Sequence, residues 1–233
     1  MAGPGLLAAT ADPWVRWDWI NRHWHLILSA TRQHLYLTGL AVGIGLALSS
    51  VLALAARHWR ALEAPILGFA GVVYTIPSLA LFAFLVPWTG LTVTTAEVGL
   101  VGYTLLILVR NIVTGLDGVP EEVRDAARGM GYSPSRQLLR VELPLALPAI
   151  VAGIRIATVT TIGLVTVTAL IGEGGLGTLI NDGLGRDFHT PLVVGLAGSV
   201  ILAMAADVLL VGVQRVLSPW AHRRRSAVPA EAA

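Results

Sequence analysis

Five apolar stretches, each close to the roughly 20 residues a helix needs to cross bilayer hydrocarbon, constrain this chain more than any other feature. They run over 34–56, 64–87, 97–116, 148–171 and 191–214. From His34 to Ala56 no residue is formally charged. Five such runs in 233 residues leave too little polar chain to cover them in a soluble protein. Composition agrees: 13% of residues are charged, against about 25% in an ordinary globular chain, so most of the surface faces lipid. Glycine and proline are scattered through the runs, as membrane helices tolerate. Gly39 and Gly43, four apart, point to a close helix crossing. A net charge of +2 offers no footprint for nucleic acid. With no cysteine, disulfides, thiolate metal sites and cysteine catalysis are excluded. The histidines show no metal-ligand spacing beyond the His23/His25 pair, which reads as interfacial, and no nucleophile–base set is visible.

Arginine distribution sets the orientation. Arg57 and Arg60 follow the first stretch, Arg124, Arg128, Arg136 and Arg140 the third, and Arg223, Arg224 and Arg225 the fifth. These segments share a side in a five-span protein, and their positive charge makes it the cytoplasmic one. The opposite connections are poorer: 88–96 has no charge, and 172–190 sets Arg186 against Glu173, Asp182 and Asp187. The N-terminus is expected outside and the C-terminus in the cytoplasm. Segment 1–33 carries Arg16, Arg22 and Arg32, but Trp14, Trp17, Trp19 and Trp24 fit an interfacial stretch at the outer headgroups. The extreme N-terminus, 1–14, has no basic n-region and too short an apolar run for a secretory signal, so insertion is expected to depend on the spans. The expected division is 1–33 interfacial, 34–217 transmembrane and 218–233 a disordered basic tail.

The connection 117–148 reads as two short helices and a turn. Pro120 fits a first-turn position, and Glu121 and Glu122 complement the positive end of a helix dipole. Val123, Ala126, Ala127 and Met130 at i, i+3, i+4 and i+7 make a narrow apolar face of mostly small residues. Gly129 and Gly131 end that helix and permit a tight reversal. Ser133 can cap a second helix starting at Pro134, and Pro144 and Pro148 mark its end before the fourth span. Small residues on a surface helix let another protein approach closely; a linker lying on the membrane would show the same periodicity.

Here a resemblance becomes specific. Asp125-Ala126-Ala127, three residues, Gly131, nine residues, then Val141-Glu142-Leu143-Pro144 resembles the EAA loop of binding-protein-dependent ABC importer permeases. Asp125 replaces the usual Glu and Val141 the usual Ile. The segments 74–87, 108–120, 141–155 and 169–180 are similar to permeases for glycine betaine, carnitine, choline and related osmoprotectants, over roughly 34–215. The methionine and aliphatic-sulfonate permeases share the loop and some of this architecture. The resemblance implies an all-α membrane protein with five transmembrane helices of the small type I ABC importer permease fold. It implies a coupling loop, 117–144, whose residues Glu121, Glu122, Asp125, Ala126, Ala127, Gly131, Val141, Leu143 and Pro144 meet an ATPase.

Polar positions within the spans are the other candidates, because an unpaired charge in hydrocarbon is costly. Arg110, Arg155 and Asp207 lie at similar depth toward the cytoplasmic side, so Asp207 can neutralise either arginine; snorkelling of the arginines to the headgroups is the other reading. Pro77 interrupts Tyr74-Thr75-Ile76-Pro77-Ser78, freeing the Val73 carbonyl, with Thr75 and Ser78 available to satisfy backbone groups. This segment and Asn111 are expected to line a pathway, although a packing kink fits Pro77 as well. Gly174, Gly175 and Gly177 permit tight turns beyond the fourth span, and the resemblance suggests an external gate there.

The resulting expectation is a permease subunit in the bacterial plasma (inner) membrane, importing glycine betaine, choline, carnitine or a similar quaternary amine. Methionine or another small organic solute is the alternative cargo. The resemblance implies ATP-Mg on two partner ATPase subunits, a second permease copy or a homologous permease, and an external substrate-binding protein. No catalytic residue, metal or cofactor is expected in this chain. An ATP-independent osmotic channel would leave the spacing from Asp125 to Pro144 without a reason, and a membrane enzyme lacks its catalytic cluster.

Overall fold

The computed structural model describes residues 13–219, and every regular element among them is a helix. The expected disordered tail, with Arg223, Arg224 and Arg225, falls almost wholly outside the described residues.

A short helix, α1 (Trp17–Arg22), precedes α2 (Trp24–His58), whose 35 residues extend ~52 Å, well beyond the ~30 Å hydrocarbon core. A 3-10 turn, Arg60–Leu62, leads into α3 (Glu63–Thr75) and α4 (Ser78–Thr89). Then come α5 (Val93–Asp117), α6 (Glu121–Gly129), α7 (Pro134–Gln137), α8 (Leu143–Val167), α9 (Leu176–Gly185) and α10 (His189–Leu217). Four helices are long and apolar enough to cross a membrane, and counting the α3–α4 pair as one gives five.

Two sequence expectations are corrected here. The stretch 64–87 is not one proline-kinked helix: α3 and α4 meet at 98°. Pro77 disfavours helical backbone at the residue before it, and Ile76 and Pro77 are both extended, with ψ of 128° and 131°. The chain therefore turns a corner rather than bending. Nor do Pro144 and Pro148 end a second loop helix. Helix continues from Pro134 to Ile171, with a π-helical stretch, Leu138–Glu142, joining α7 to α8. That wider turn sits immediately before the prolines and displaces the carbonyl ladder that Pro144 would otherwise obstruct. Ser133 occupies the N-cap position of α7 without a side-chain capping bond.

The core is a packed triad of α2, α5 and α8 with one apolar cluster toward each end. Leu37, Leu100, Val165 and Phe82 form one, with Phe82 entering from α4; Ala53, Ile112, Leu116 and Ile150 form the other. The close crossing does not use Gly39 and Gly43, which have nothing within 4 Å of an added Cβ. It uses Gly45, where a Cβ would lie 2.0 Å from Thr104 Oγ1. Helix α10 buries Thr190, Pro191, Gly195 and Ser199, while Ile201, Met204, Val208 and Leu209 remain 64–71% exposed. Such an apolar outer face suits lipid.

Gly45→Ala overfills the α2–α5 contact and is expected to destabilise the purified chain by about 1–3 kcal/mol, whereas Gly43→Ala is neutral or mildly stabilising. Thermal unfolding of the two variants in one detergent checks this, and equal melting temperatures would contradict the assigned crossing.

Candidate functional site

At one end of the bundle the loop from α5 to α8 forms a compact projection. Pro120 is the N-cap of α6 rather than a first-turn residue, and Glu121 and Glu122 occupy the first turn. The helix stops in a hydrogen-bonded reversal: Tyr132 N–H donates to Ala127 O at 3.1 Å and Gly131 N–H to Arg128 O at 2.9 Å. That pairing needs a left-handed residue after the cap, and Gly131 supplies it with φ 77°. Gly129 is the last helical residue instead of a second turn residue.

The expected apolar face of α6 divides in two. Ala127 is buried and Val123 half-buried against the bundle, whereas Asp125, Ala126 and Gly129 are exposed and Met130 is 68% exposed. Val141, Leu143 and Pro144 are half-buried where the π stretch joins α8. Glu121 accepts from Arg128 Nη2 at 2.6 Å and Arg124 Nη1 at 3.1 Å. The Arg128 bond, with that from Arg124, holds the Glu121 carboxyl below its ordinary range. Arg128 also bonds Asp125. Arg124 Nη2 donates to Leu116 O at 2.6 Å, fastening α6 to the end of α5.

Beneath α6 lies a residue that the sequence analysis passed over. Glu142, the unspecified position of the motif, has a side chain only 4% exposed. It pairs with Arg57 at the end of α2, accepts from Gln137 Nε2 at 2.7 Å, and lies 3.9 Å from Arg124 Nε. One carboxylate thus joins the end of α2, α6 and the α7 turn. A cavity of about 730 Å³ opens beside it, between Arg57, His58, Arg128 and Tyr132. The arginines on this side of the bundle were legible in sequence; the buried acid that Arg57 and Arg124 meet was not.

The remaining candidates are dispersed. At the α3–α4 corner the Ile76 N–H takes the Val73 carbonyl at 3.3 Å, so Pro77 does not leave that carbonyl free. Thr75 Oγ1 donates to Val72 O at 2.8 Å, and the Tyr103 hydroxyl donates to Ile76 O. Tyr74 meets Tyr103 edge-on at 6.0 Å. Asn111 donates to Ile107 O at 2.8 Å and abuts Gly153, where a Cβ would lie 2.5 Å from the Asn111 Cβ. It packs α5 against α8.

Gly174, Gly175 and Gly177 are buried, not splayed at a mouth. Gly175, at φ 51°, lies where a Cβ would come within 2.8 Å of the His34 backbone. Its N–H donates to Gln33 Oε1 at 3.2 Å, and Gln33 Nε2 donates to Glu173 Oε2 at 2.8 Å. His34, fully buried, accepts the Leu176 N–H on Nδ1 at 3.3 Å and meets Ile162 O through Nε2 at 3.0 Å. With one nitrogen accepting and the other donating, the ring is neutral.

Asp207 pairs with Arg155, whose Nε and Nη2 reach Oδ1 at 3.0 and 2.8 Å. Arg110 is exposed and forms no ion pair among the described residues. A further acid, Glu97, begins the third apolar stretch and was passed over as a boundary residue. It is only 7% exposed, and neither carboxylate oxygen accepts a hydrogen bond among the described residues.

With four helices long and apolar enough to cross a membrane, or five if α3 and α4 count as one, the fold is that of a multi-pass membrane protein. The chain belongs to the family of binding-protein-dependent transport system inner membrane components, which it matches over residues 39–223, and it is a multi-pass inner-membrane protein. Among curated relatives, it is 39% identical over 198 residues to the osmoprotectant import permease protein OsmW of Salmonella typhimurium, covering 83% of this chain and 92% of that one. It is 35% identical to the glycine betaine/carnitine/choline transport system permease protein OpuCB of Bacillus subtilis, covering 83% and 89%. In structure it is similar to a chain of the MetNI methionine ABC transporter in an inward-facing conformation. The TM-score is 0.72 at 22% identity, over 84% of this chain and 98% of that one. A chain of an amino acid ABC transporter gives 0.72 at 19% identity, over 86% and 98%. The fold is that of ABC importer permeases.

Removing Glu142 leaves Arg57 without its carboxylate. Breaking a buried pair costs roughly 3–5 kcal/mol, and because the Arg57 side chain is 24% exposed the lower end is expected. Glu142→Ala should loosen the loop, read as faster hydrogen exchange at Arg124–Tyr132; exchange there at the wild-type rate would contradict the assigned tether.

Proposed function

We propose that this permease imports a compatible solute of the quaternary-amine class, with glycine betaine, choline or carnitine as cargo, and takes its driving force from separate ATPase subunits docked on α6. The permease acts with a second copy or a homologous permease, two ATPase subunits holding ATP-Mg, and an external substrate-binding protein. The N-terminus lies outside and the α6 loop in the cytoplasm, as the arginine bias favours. ATP binding closes the ATPase pair, draws the paired loops together and opens the spans outward; hydrolysis reverses the movement. Relatives carrying osmoprotectant and glycine betaine/carnitine/choline names at 35–39% identity support this cargo over methionine.

The observation that carries the coupling role is the two-sided α6. Its outer side presents Asp125, Ala126, Gly129 and Met130 to solvent. Its inner side is fixed through Arg124 to Leu116 O and toward Glu142. A push on the outer side therefore reaches α5 through the Arg124–Leu116 bond, and α2 through the ionic contact of Arg124 with the Glu142–Arg57 pair.

Gly131 tests the docking. It has open space around it but a left-handed backbone, which costs a β-branched residue about 1–2 kcal/mol and which asparagine tolerates. Gly131→Val is expected to lower betaine uptake and ATPase co-purification together, while Gly131→Asn retains most of both; full uptake by the valine variant would refute the docking role. Orientation is checked separately. Met130→Cys, in a chain without cysteine, should react with an impermeant thiol reagent only from the cytoplasmic side, and labelling from outside would overturn the topology.

A further inference from the structure

The Arg155–Asp207 pair lies deep in the bundle, with Asp207 ~15 Å along α10 from its end at Leu217 and ~27 Å from His189. Yet it is not buried by protein: the two side chains are 29% and 39% exposed. Charges so placed are tolerated within a membrane only where water or another polar surface covers them. Asp207 lies round α10 from Ile201, Ala205 and Val208, with Met204 between them and the charge, so the pair sits at the edge of the apolar face of α10 and not at its centre.

The pair is bonded on one side only. Nε and Nη2 of Arg155 both address Oδ1 of Asp207, leaving Nη1 and Oδ2 without hydrogen bonds among the described residues. Both residues line a cavity of about 310 Å³, with Ala152, Ile156, Val159 and Thr160, at the lower end of the roughly 300–1,000 Å³ of small-ligand clefts. Apart from the pair and the Thr160 hydroxyl, its walls are aliphatic. A methylated ammonium group has no N–H to donate, so a carboxylate meets it as a counter-charge while apolar walls meet its methyl groups. A carboxylate is held by guanidinium N–H groups. Arg110 is exposed and forms no ion pair among the described residues, which fits a snorkelling side chain.

We propose that the α8–α10 face lines a water-filled passage in which Arg155 and Asp207 form a contact site for a small zwitterion. Arg155 takes its carboxylate, and Asp207 with the aliphatic walls takes its methylated cation. The choice of zwitterion rests on the proposed function; the aqueous exposure of this face does not.

The cysteine-free chain provides the test. Thr160→Cys in the assembled permease–ATPase complex is treated with a small water-soluble thiosulfonate, with and without glycine betaine. Labelling is expected, slowed by betaine several-fold. Protection should weaken by roughly tenfold in concentration, the loss of about one charge-assisted hydrogen bond, when Arg155→Gln or Asp207→Asn is added. A cysteine that does not label would show that lipid or a second copy seals this face. Labelling that betaine does not slow, or that it slows equally in the neutral variants, would overturn the contact site. A complex that shows protection at Thr160 yet imports no betaine in cells would refute the proposed function and leave this site standing.

Discussion

In hydrocarbon, a backbone N–H or C=O without a partner costs several kcal/mol, and each departure from straight helix in this protein is organised around that penalty. At the α3–α4 corner the exposed carbonyls go to the Ile76 N–H, the Thr75 hydroxyl and the Tyr103 hydroxyl. At the glycine turn before α9, Gln33 and His34 accept the two N–H groups of Gly175 and Leu176. Tyr103 from α5, and Gln33 and His34 from α2, reach this irregular backbone from neighbouring helices. This is why α2 and α5, which supply those side chains, sit at the centre of the fold.

The same accounting separates the two ends functionally. The end bearing the glycine turn is closed by hydrogen bonds from Gln33 and His34 and by close backbone contacts, with one carboxylate, Glu173, taking the Gln33 amide. The end bearing α6 is closed by charge: Arg57, Gln137 and Arg124 surround Glu142, and Arg60 reaches Asp117 Oδ2 at 3.2 Å and Glu63 Oε2 at 3.3 Å. Ionic fastening suits a wet interface and a part that transmits force. The apolar clusters between the two ends hold α2, α5 and α8 together.

Much of the architecture was legible beforehand because a bilayer imposes length. The apolar stretches near 97–116 and 191–214 correspond to α5 and α10, extended by a few residues at each end, and the spacing from Asp125 to Pro144 located the loop. The misread features are those that depend on a partner helix. Gly39 and Gly43 fit a packing motif but face open space, while Gly45 was passed over because nothing in its neighbours reveals that Thr104 lies opposite. The turn at Gly174, Gly175 and Gly177 was legible, but their burial was not, since exposure cannot be inferred from a glycine. Glu142 looked like an arbitrary residue between Val141 and Leu143.

The sequence alone determined what the bilayer and the local chain enforce: apolar lengths, a reversal at Gly131, a broken backbone at Pro77, and opposite charges at similar depth. Tertiary structure decided everything that requires two segments to meet. It chose Arg155 over Arg110 as the partner of Asp207, turned a kink into a 98° corner, and placed a buried acid under α6. Periodicity and hydrophobic length are local properties of a chain. Pairing across a bundle depends on helix rotation, which one residue of register can reverse.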